Sequence, residues 1–257
     1  MSTSSKARIG KIPVDRTSLE DVLRSLTNAI RSRTPQTVFY ANSYAVTLAE
    51  EDPAFAAAMG KADTIFCDGF GVYFASRILG SSIPQRFAWP DWIEQLGVVC
   101  RDEGVSMFFL GAKEGVAAQA AKKLELAVPA LRIDSHHGHF SKDAASSREV
   151  IDLVNGSGAA VLLVGFGMPL QEKWITEHRQ HLQPLVVFSV GAMFDYVAGN
   201  LRRGPRWLTH YGFEWLTRLV IEPRRLWRRY LLGLPEFALL VSRQWIAARP
   251  RLGTQSR

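Results

Sequence analysis

Short apolar runs alternate with amphipathic stretches along the chain as far as residue 199. Six runs are predicted to be strands, at residues 37–41, 64–68, 106–111, 131–135, 160–167 and 184–191. Helical patterns at 52–62, 114–127 and 148–156 lie between them. Strands alternating with helices are typical of an α/β domain, and continuously apolar strands indicate a largely parallel sheet covered on both faces. The pattern therefore predicts a Rossmann-like α/β core.

Beyond residue 200 the pattern becomes helical, aromatic and strongly basic. Two or three helices are predicted there, interrupted near Pro223 and Pro235. From residue 200 to the end there are twelve arginines, no lysine and three acidic residues, a balance of +9, whereas residues 1–199 carry −2. We therefore predict an α/β core over residues 1–199 and a C-terminal appendage over residues 200–257.

The appendage has the composition of an element that lies on an anionic membrane surface. Four tryptophans and many aliphatic side chains alternate with the arginines. The alternative is a terminal helical pair packed on the core, with solvated arginines. The arginines do not follow a nucleic-acid-binding motif, so we expect no nucleic acid partner. An exposed apolar tail could also be buried between subunits, which leaves a homo-oligomer open.

The remaining composition is that of a globular protein. The 257 residues are 47% hydrophobic and 21% charged, which argues against disorder. The chain has two cysteines, Cys67 and Cys100, and begins without the apolar run of a signal peptide, which fits a reducing compartment. Nowhere do roughly 18 apolar residues follow one another, as a membrane-spanning helix requires. We expect a protein that is soluble or peripheral to a membrane.

Asp68 directly follows a predicted strand and is succeeded by Gly69 and Gly71. Ligands of open α/β sheets gather at the carboxyl ends of strands, where Asp68 could act as a general base and the glycines would allow close approach of a substrate. An N-cap of the next helix is an equally good interpretation of Asp68. Asn42, after the strand at 37–41, could hold substrate hydroxyls or cap a helix.

The segment GFGMPLQEKW follows the strand at 160–167. Gly165 and Gly167 would form a turn, and Pro169 is predicted at the first helical position, which leaves backbone N–H groups open to a diphosphate or a carboxylate. Gln171 and Glu172 then lie in the first turn of the helix. The glycine spacing is not GxGxxG, so a dinucleotide oxidoreductase has weak support.

The remaining histidines and arginines indicate a function less specifically. His136, His137 and His139 lack an acidic or Cys partner at ligand spacing, so a surface loop is favoured over a metal site, and no DxD pair is present. Guanidinium groups can stabilise a leaving diphosphate without a metal, and we expect one to three of the tail arginines to reach a site. The candidates are Arg202, Arg203, Arg206, Arg218, Arg224, Arg225, Arg228 and Arg229.

The order of these motifs resembles one family over roughly residues 10–232, the WecG/TagA/CpsF glycosyltransferases (glycosyltransferase family 26). GFGMPLQEKWI and GFEWLTRLVIEPRRLWRRY carry the resemblance most specifically. It implies a GT-E type α/β core whose appendage docks on the cytoplasmic face of the bacterial inner membrane. It also implies an inverting transferase, free of metal and cofactor, that moves a sugar from a UDP-sugar to an undecaprenyl-diphosphate-linked sugar.

The resemblance also assigns roles to residues. Asp68 matches the proposed base, Gln171 and Glu172 match residues implicated in substrate binding or catalysis, and arginines of the appendage are thought to close over the diphosphate. The corresponding arginines are Arg218, Arg224 and Arg228. The remaining residues predicted to bind substrate are Tyr40, Asn42, Gly69, Gly71, Gly111, Gly165, Gly167 and Gly191.

Tyr40 departs from the family pattern, since many members carry threonine two residues before the strand-end asparagine. The bulkier side chain favours a donor other than UDP-N-acetylmannosamine, and we expect UDP-glucose and exopolysaccharide synthesis slightly more than the teichoic-acid branch. A non-catalytic, membrane-bound scaffold that binds nucleotide-sugars is the alternative to an enzyme.

Overall fold

A computed structural model describes residues 6–201, 204 and 214–248 of the chain. Its centre is a six-stranded sheet in which every neighbouring pair is parallel, in the order β4-β3-β8-β7-β5-β6. The strands are β3 (Gln36–Ala41), β4 (Thr64–Cys67), β5 (Met107–Gly111), β6 (Ile133–His136), β7 (Val161–Gly165) and β8 (Val186–Ser189). All six runs that the sequence predicted as strands are confirmed.

Helices cover both faces of this sheet. They are α1 (Leu19–Ser32), α2 (Ser43–Glu51), α3 (Pro53–Gly60), α4 (Phe70–Ile78), α5 (Ile93–Asp102), α6 (Val116–Ala127), α7 (Ala144–Gly156), α8 (Leu170–His178) and α9 (Met193–Ala198), with 3₁₀ turns at Trp89–Asp91 and Arg179–His181. One buried cluster includes Phe108 and Trp174, and another includes Phe109 and Trp92. Neighbouring residues of one strand thus point into different cores, as a doubly covered sheet requires. The predicted Rossmann-like α/β class is confirmed.

An antiparallel hairpin at the N-terminus was not predicted. Strands β1 (Lys6–Ile9) and β2 (Ile12–Asp15) pair through a turn at Gly10. Asp15 is buried and accepts a hydrogen bond from the backbone N–H of Ile65 in β4, at 2.8 Å. The hairpin therefore packs against the edge of the central sheet. Four-residue strands carry too short a pattern for this long-range contact to be predicted from the sequence.

The tail forms α10 (Glu214–Ile221), α11 (Pro223–Trp227), a π turn (Arg228–Leu232) and α12 (Gly233–Ala248). The predicted break near Pro223 is confirmed, because α10 ends just before it. The predicted break near Pro235 is wrong, because the helical turns continue without interruption from Pro223 through the π turn into α12, whose first turn contains Pro235. The wider π turn immediately before α12 accommodates a proline that cannot donate to the carbonyl four residues back.

Helix α12 packs on the core through one face. Phe237 and Val241 are buried in the same cluster as the core of the sheet. Gln244 accepts from the N–H of Gly10 at 2.9 Å and donates to the carbonyl of Arg8 at 2.7 Å. The core boundary at residue 199 stays a prediction. Within the described ranges, no helix is both long and apolar enough to span a bilayer.

Candidate active site

A cavity of about 520 Å³ opens at the carboxyl ends of β3, β4 and β8. The core contributes Tyr40, Asn42, Asp68 and Gly191 to its lining, and the tail closes it with residues that include Arg229. This is the edge of the sheet at which open α/β proteins bind ligands. The cavity therefore brings together side chains that the sequence predicted separately.

Asp68 is held at the end of β4 by its backbone. Its N–H donates to the carbonyl of Ala41 at 3.0 Å, and its own carbonyl accepts from Arg86 Nη1 at 3.1 Å. The N-cap of α4 is Gly69, and that cap has no side-chain hydrogen bond. The alternative interpretation of Asp68 as a helix cap is therefore wrong, and its half-buried carboxylate lines the cavity.

The two glycines after Asp68 are required by close packing. A Cβ on Gly69 would lie 2.8 Å from Cβ of Asn42, and one on Gly71 would overlap the hydroxyl of Ser43. Asn42 caps α2, because its Oδ1 accepts from the N–H of Ala45 at 3.1 Å. Asn42 thus performs the structural role that the sequence left open, while its side chain also lines the cavity.

Gln171 joins two loops beneath the cavity. Its Oε1 accepts from the N–H of Gly167 at 3.1 Å and from the N–H of Gly191 at 3.0 Å. Pro169 is the N-cap of α8, whereas it was predicted at the first helical position, and the N–H of Gly167 in the preceding turn donates to Gln171. The buried amide therefore fixes the shape of the cavity wall from behind and does not line the cavity.

Glu172 is fully buried beside Gln171. Its Oε1 accepts from Gln171 Nε2 at 2.7 Å, which sets the orientation of that amide. Within the described part of the chain, Glu172 Oε2 and Ser189 Oγ have no hydrogen-bond partner of ordinary geometry. Burial raises the pKa of Glu172 to about 7, and the hydrogen bond from Gln171 acts in the opposite direction. The sequence pattern did not predict that Glu172 would be buried.

Tyr40 forms part of the cavity floor and is almost wholly buried. Burial raises the pKa of its hydroxyl, and the charges of Glu172 and Asp68 raise it further. Gly191 has a left-handed backbone with φ of 57°, and a Cβ there would lie 2.5 Å from the Tyr40 hydroxyl. The phenol therefore occupies space above Gly191 that a smaller side chain would leave to the ligand.

Gly111 and Gly165 lie outside the cavity lining. A Cβ on Gly111 would lie 2.5 Å from the carbonyl oxygen of Gly165, and one on Gly165 would lie 2.8 Å from that of Gly191. These residues were predicted to bind substrate, but their observed contacts let the ends of β5, β7 and β8 pack closely. Gly167, in contrast, lines the cavity.

Among the tail arginines whose side chains the structure describes, Arg229 lines the cavity. Its guanidinium lies 4.2 Å from the centre of the Tyr44 ring. Arg224 and Arg228, which were predicted to reach the diphosphate, have exposed side chains and do not line the cavity. The side chains of Arg218 and Arg225, and all of Arg202, Arg203 and Arg206, lie outside the described residues.

Arg86 is a cavity residue that the sequence analysis missed. Its guanidinium stacks over the ring of Phe70 at 4.2 Å while it donates to the carbonyl of Asp68. It lies in the loop between α4 and α5, outside any strand-end motif, so the sequence carries no signal for it. Of the residues that the structure describes, Arg86 from the core and Arg229 from the tail therefore line the same cavity as Asp68.

The histidines do not form a metal site. His136 is the last residue of β6, and its Nδ1 lies 2.8 Å from the carbonyl oxygen of His137. Among the residues that the structure describes, no three His, Cys, Asp or Glu side chains cluster in a way that would hold a metal ion.

Comparison with known proteins gives a consistent result. An N-acetylglucosaminyldiphosphoundecaprenol N-acetyl-beta-D-mannosaminyltransferase of Bacillus spizizenii is 30% identical over 193 residues, covering 75% of this chain and 73% of the relative. The protein of the same name in Bacillus subtilis is 28% identical over 186 residues, with 72% and 71% covered. The model of the glycosyl transferase WecG/TagA/CpsF family matches residues 7–251, and the chain therefore belongs to this family.

Proposed function

We propose that the protein transfers a sugar from a UDP-sugar to a polyprenyl-diphosphate-linked sugar, with inversion and without a metal or cofactor. The observation that carries the proposal is a single cavity lined by Asp68, Arg86 and Arg229. A carboxylate and two guanidinium groups suit a sugar transfer from a diphosphate donor to a diphosphate-linked acceptor when no metal ion is present. The names of the two relatives describe the same class of acceptor.

In this mechanism Asp68 acts as general base. It takes the proton of the acceptor hydroxyl as the hydroxyl oxygen bonds to the anomeric carbon of the donor. The bond between that carbon and the UDP oxygen breaks on the opposite face, and the electron pair leaves with UDP. Negative charge then develops on the diphosphate of UDP, which Arg229 stabilises, while Arg86 holds the diphosphate of the acceptor. Gln171 and Glu172 position the loops of Gly167 and Gly191 around the donor.

The proposal has two versions, which differ in the identity of the donor sugar. The relatives are named for N-acetylmannosamine transfer, which favours UDP-N-acetylmannosamine. The Tyr40 side chain reduces the room above Gly191, which favours a donor without the N-acetyl group, such as UDP-glucose. In the second version the product serves exopolysaccharide synthesis.

We also propose that the protein works on the cytoplasmic face of the bacterial inner membrane, as a peripheral protein. Leu232, Leu239 and Ile246 are exposed and spaced seven residues apart, so they lie on one side of the tail helices. Arg243 is exposed beside them. Such a face suits an anionic bilayer that presents the lipid-linked acceptor. Burial of these residues between subunits would instead give a homo-oligomer.

A transfer assay tests the proposal. Purified protein receives a polyprenyl-diphosphate-linked N-acetylglucosamine or glucose and a panel of UDP-sugars, and the products are read by mass spectrometry. We expect the acceptor to gain the mass of one sugar with one of the donors. Folded protein that binds UDP-sugars and vesicles but yields no product with any pair would support the non-catalytic scaffold.

A further inference from the structure

Helix α4 carries an apolar stripe that begins inside the cavity and continues out of it. Phe70, Phe74 and Ile78 are spaced four residues apart, so their side chains lie on one face of the helix. Phe70 and Phe74 line the cavity and stack with ring centres 5.9 Å apart. Phe74 is 53% exposed and Ile78 is 54% exposed. We refer to these three residues as the α4 stripe.

The α4 stripe is not needed to attach the helix to the core. Val72, Ala75 and Ser76 form the buried face of α4, and Val72 and Ala75 belong to the main core cluster. Large apolar side chains left exposed in a row at the mouth of a cavity mark a ligand-binding groove more often than isolated surface leucines do. The α4 stripe therefore has a free surface that a ligand leaving the cavity would contact.

The inner end of the stripe is cationic. The Arg86 guanidinium lies 4.2 Å from the centre of the Phe70 ring. The tail adds Leu234 and Tyr230 beside Arg229 to the lining of the same cavity, so apolar side chains also come from the tail. A groove with a cation at its inner end and apolar walls further out is complementary to an amphiphile with an anionic head and a hydrocarbon tail.

We propose that the α4 stripe binds the first isoprenoid units of the acceptor, whose diphosphate lies at Arg86. The inference rests on the proposed function and adds a binding subsite to it. The stripe is continuous with the cavity wall, and a hydrocarbon chain joined to the reacting sugar must leave the cavity along such a wall. A contact with the bilayer alone would not require the row to begin beside Arg86.

The test compares two acceptors in detergent micelles without a bilayer. Both carry the same sugar and diphosphate, one on a short alkyl group and the other on a polyprenyl chain. Ile78 does not line the cavity, so Ile78→Ser should leave the KM for the short acceptor and for the UDP-sugar unchanged. The bound polyprenyl chain would bury the Ile78 side chain, so loss of part of this apolar contact should raise the KM for the polyprenyl acceptor about 5- to 10-fold. Leu153→Ser, a similarly exposed leucine of α7, should change neither KM.

Three results would overturn the inference. One is an equal effect of Ile78→Ser on both acceptors, and another is no effect on either. In the third, Ile78→Ser binds acceptor-free phosphatidylglycerol vesicles more weakly but keeps the wild-type ratio of KM values for the two acceptors. That result would show that the α4 stripe contacts the bilayer and not the acceptor chain. If the wild type transfers no sugar, the proposed function fails. The subsite can still be tested by measuring the affinity of wild type and Ile78→Ser for farnesyl diphosphate by calorimetry. Equal affinity of wild type and Ile78→Ser then contradicts it.

Discussion

The guanidinium of Arg229 lies 4.2 Å from the centre of the Tyr44 ring, so a tail residue and a core residue are in direct contact at the cavity. Tyr44 belongs to α2, whose N-terminus follows β3, and Arg229 belongs to the π turn before α12. Cation–π contacts of this kind contribute about 0.5–2 kcal/mol. The tail therefore contributes a cationic group to the lining of the cavity.

Replacement of Arg229 tests this contact. Arg229→Ala should lower kcat/KM by about 10- to 100-fold with a short-chain acceptor, because a hydrogen bond to a charged group is worth about 1.5–3 kcal/mol. Arg229→Lys should restore only part of the activity, since lysine lacks the planar fork of arginine. Arg243→Ala, on the exposed face of α12, is the control and should retain full activity. Equal losses of kcat/KM in Arg229→Ala and Arg243→Ala would exclude a specific role of Arg229 in binding the substrate.

The buried carboxyl of Glu172 should make stability depend on pH. Burial raises its pKa to about 7, from 4.5. Between these values the folded state keeps a proton that the unfolded state has lost, so the stability from this group is full below about pH 4.5 and is lost as the pH rises through 7. In Glu172→Gln this fall should be absent, a difference of about 3 kcal/mol at most between pH 4.5 and pH 8.

Urea unfolding of wild type and Glu172→Gln at both pH values measures that difference. Other titrating groups are common to the two proteins, so their contributions cancel in the comparison. Parallel changes in the free energy of unfolding would show that folding does not raise the pKa of Glu172.

Tyr40 should control the choice of donor. Tyr40→Thr removes the phenol above Gly191, so the ratio of kcat/KM for UDP-N-acetylmannosamine to that for UDP-glucose should increase. Tyr40→Phe keeps the ring and should leave the ratio close to that of the wild type. The threonine variant should also unfold about 3 kcal/mol more easily, because a buried aromatic ring is lost. An unchanged ratio in a folded Tyr40→Thr would remove Tyr40 from donor selection.

The exposed face of α12 should bind anionic vesicles. Leu239→Glu combined with Ile246→Glu removes two apolar contacts and adds repulsion, so co-sedimentation with phosphatidylglycerol vesicles should weaken at least about 10-fold. Leu126→Glu combined with Leu153→Glu, at exposed positions of α6 and α7, is the control with the same change in net charge. If the control weakens binding equally, net charge and not the tail surface drives membrane association.

Much of the fold could be predicted because its strands are continuously apolar. Runs such as 160–165 have no exposed face, and the parallel sheet follows from that pattern. Since the carboxyl ends of parallel strands meet at one edge, we expected Asp68, Asn42 and Gly191 to lie close together, and all three line the same cavity. These positions depend mainly on strand ends, which the sequence marks with polar residues and glycine.

The remaining features depend on tertiary contacts that local sequence does not encode. Arg86 reaches the cavity from a loop, and Glu172 is buried because α8 packs its first turn inward. The tail arginines could not be ranked from their spacing. The π turn adds a residue to one helical turn, which brings Arg229 to the cavity and leaves Arg228 exposed.

The most direct test is transfer by wild type and Asp68→Asn in the presence of EDTA. The account predicts that wild type adds one sugar to the polyprenyl-diphosphate acceptor despite the chelator. Asp68→Asn should be at least about 100-fold slower, with an unchanged unfolding midpoint, because a general base is lost without a change in shape. Transfer abolished by EDTA, or Asp68→Asn within a few-fold of wild type, would contradict metal-independent catalysis with Asp68 as the base.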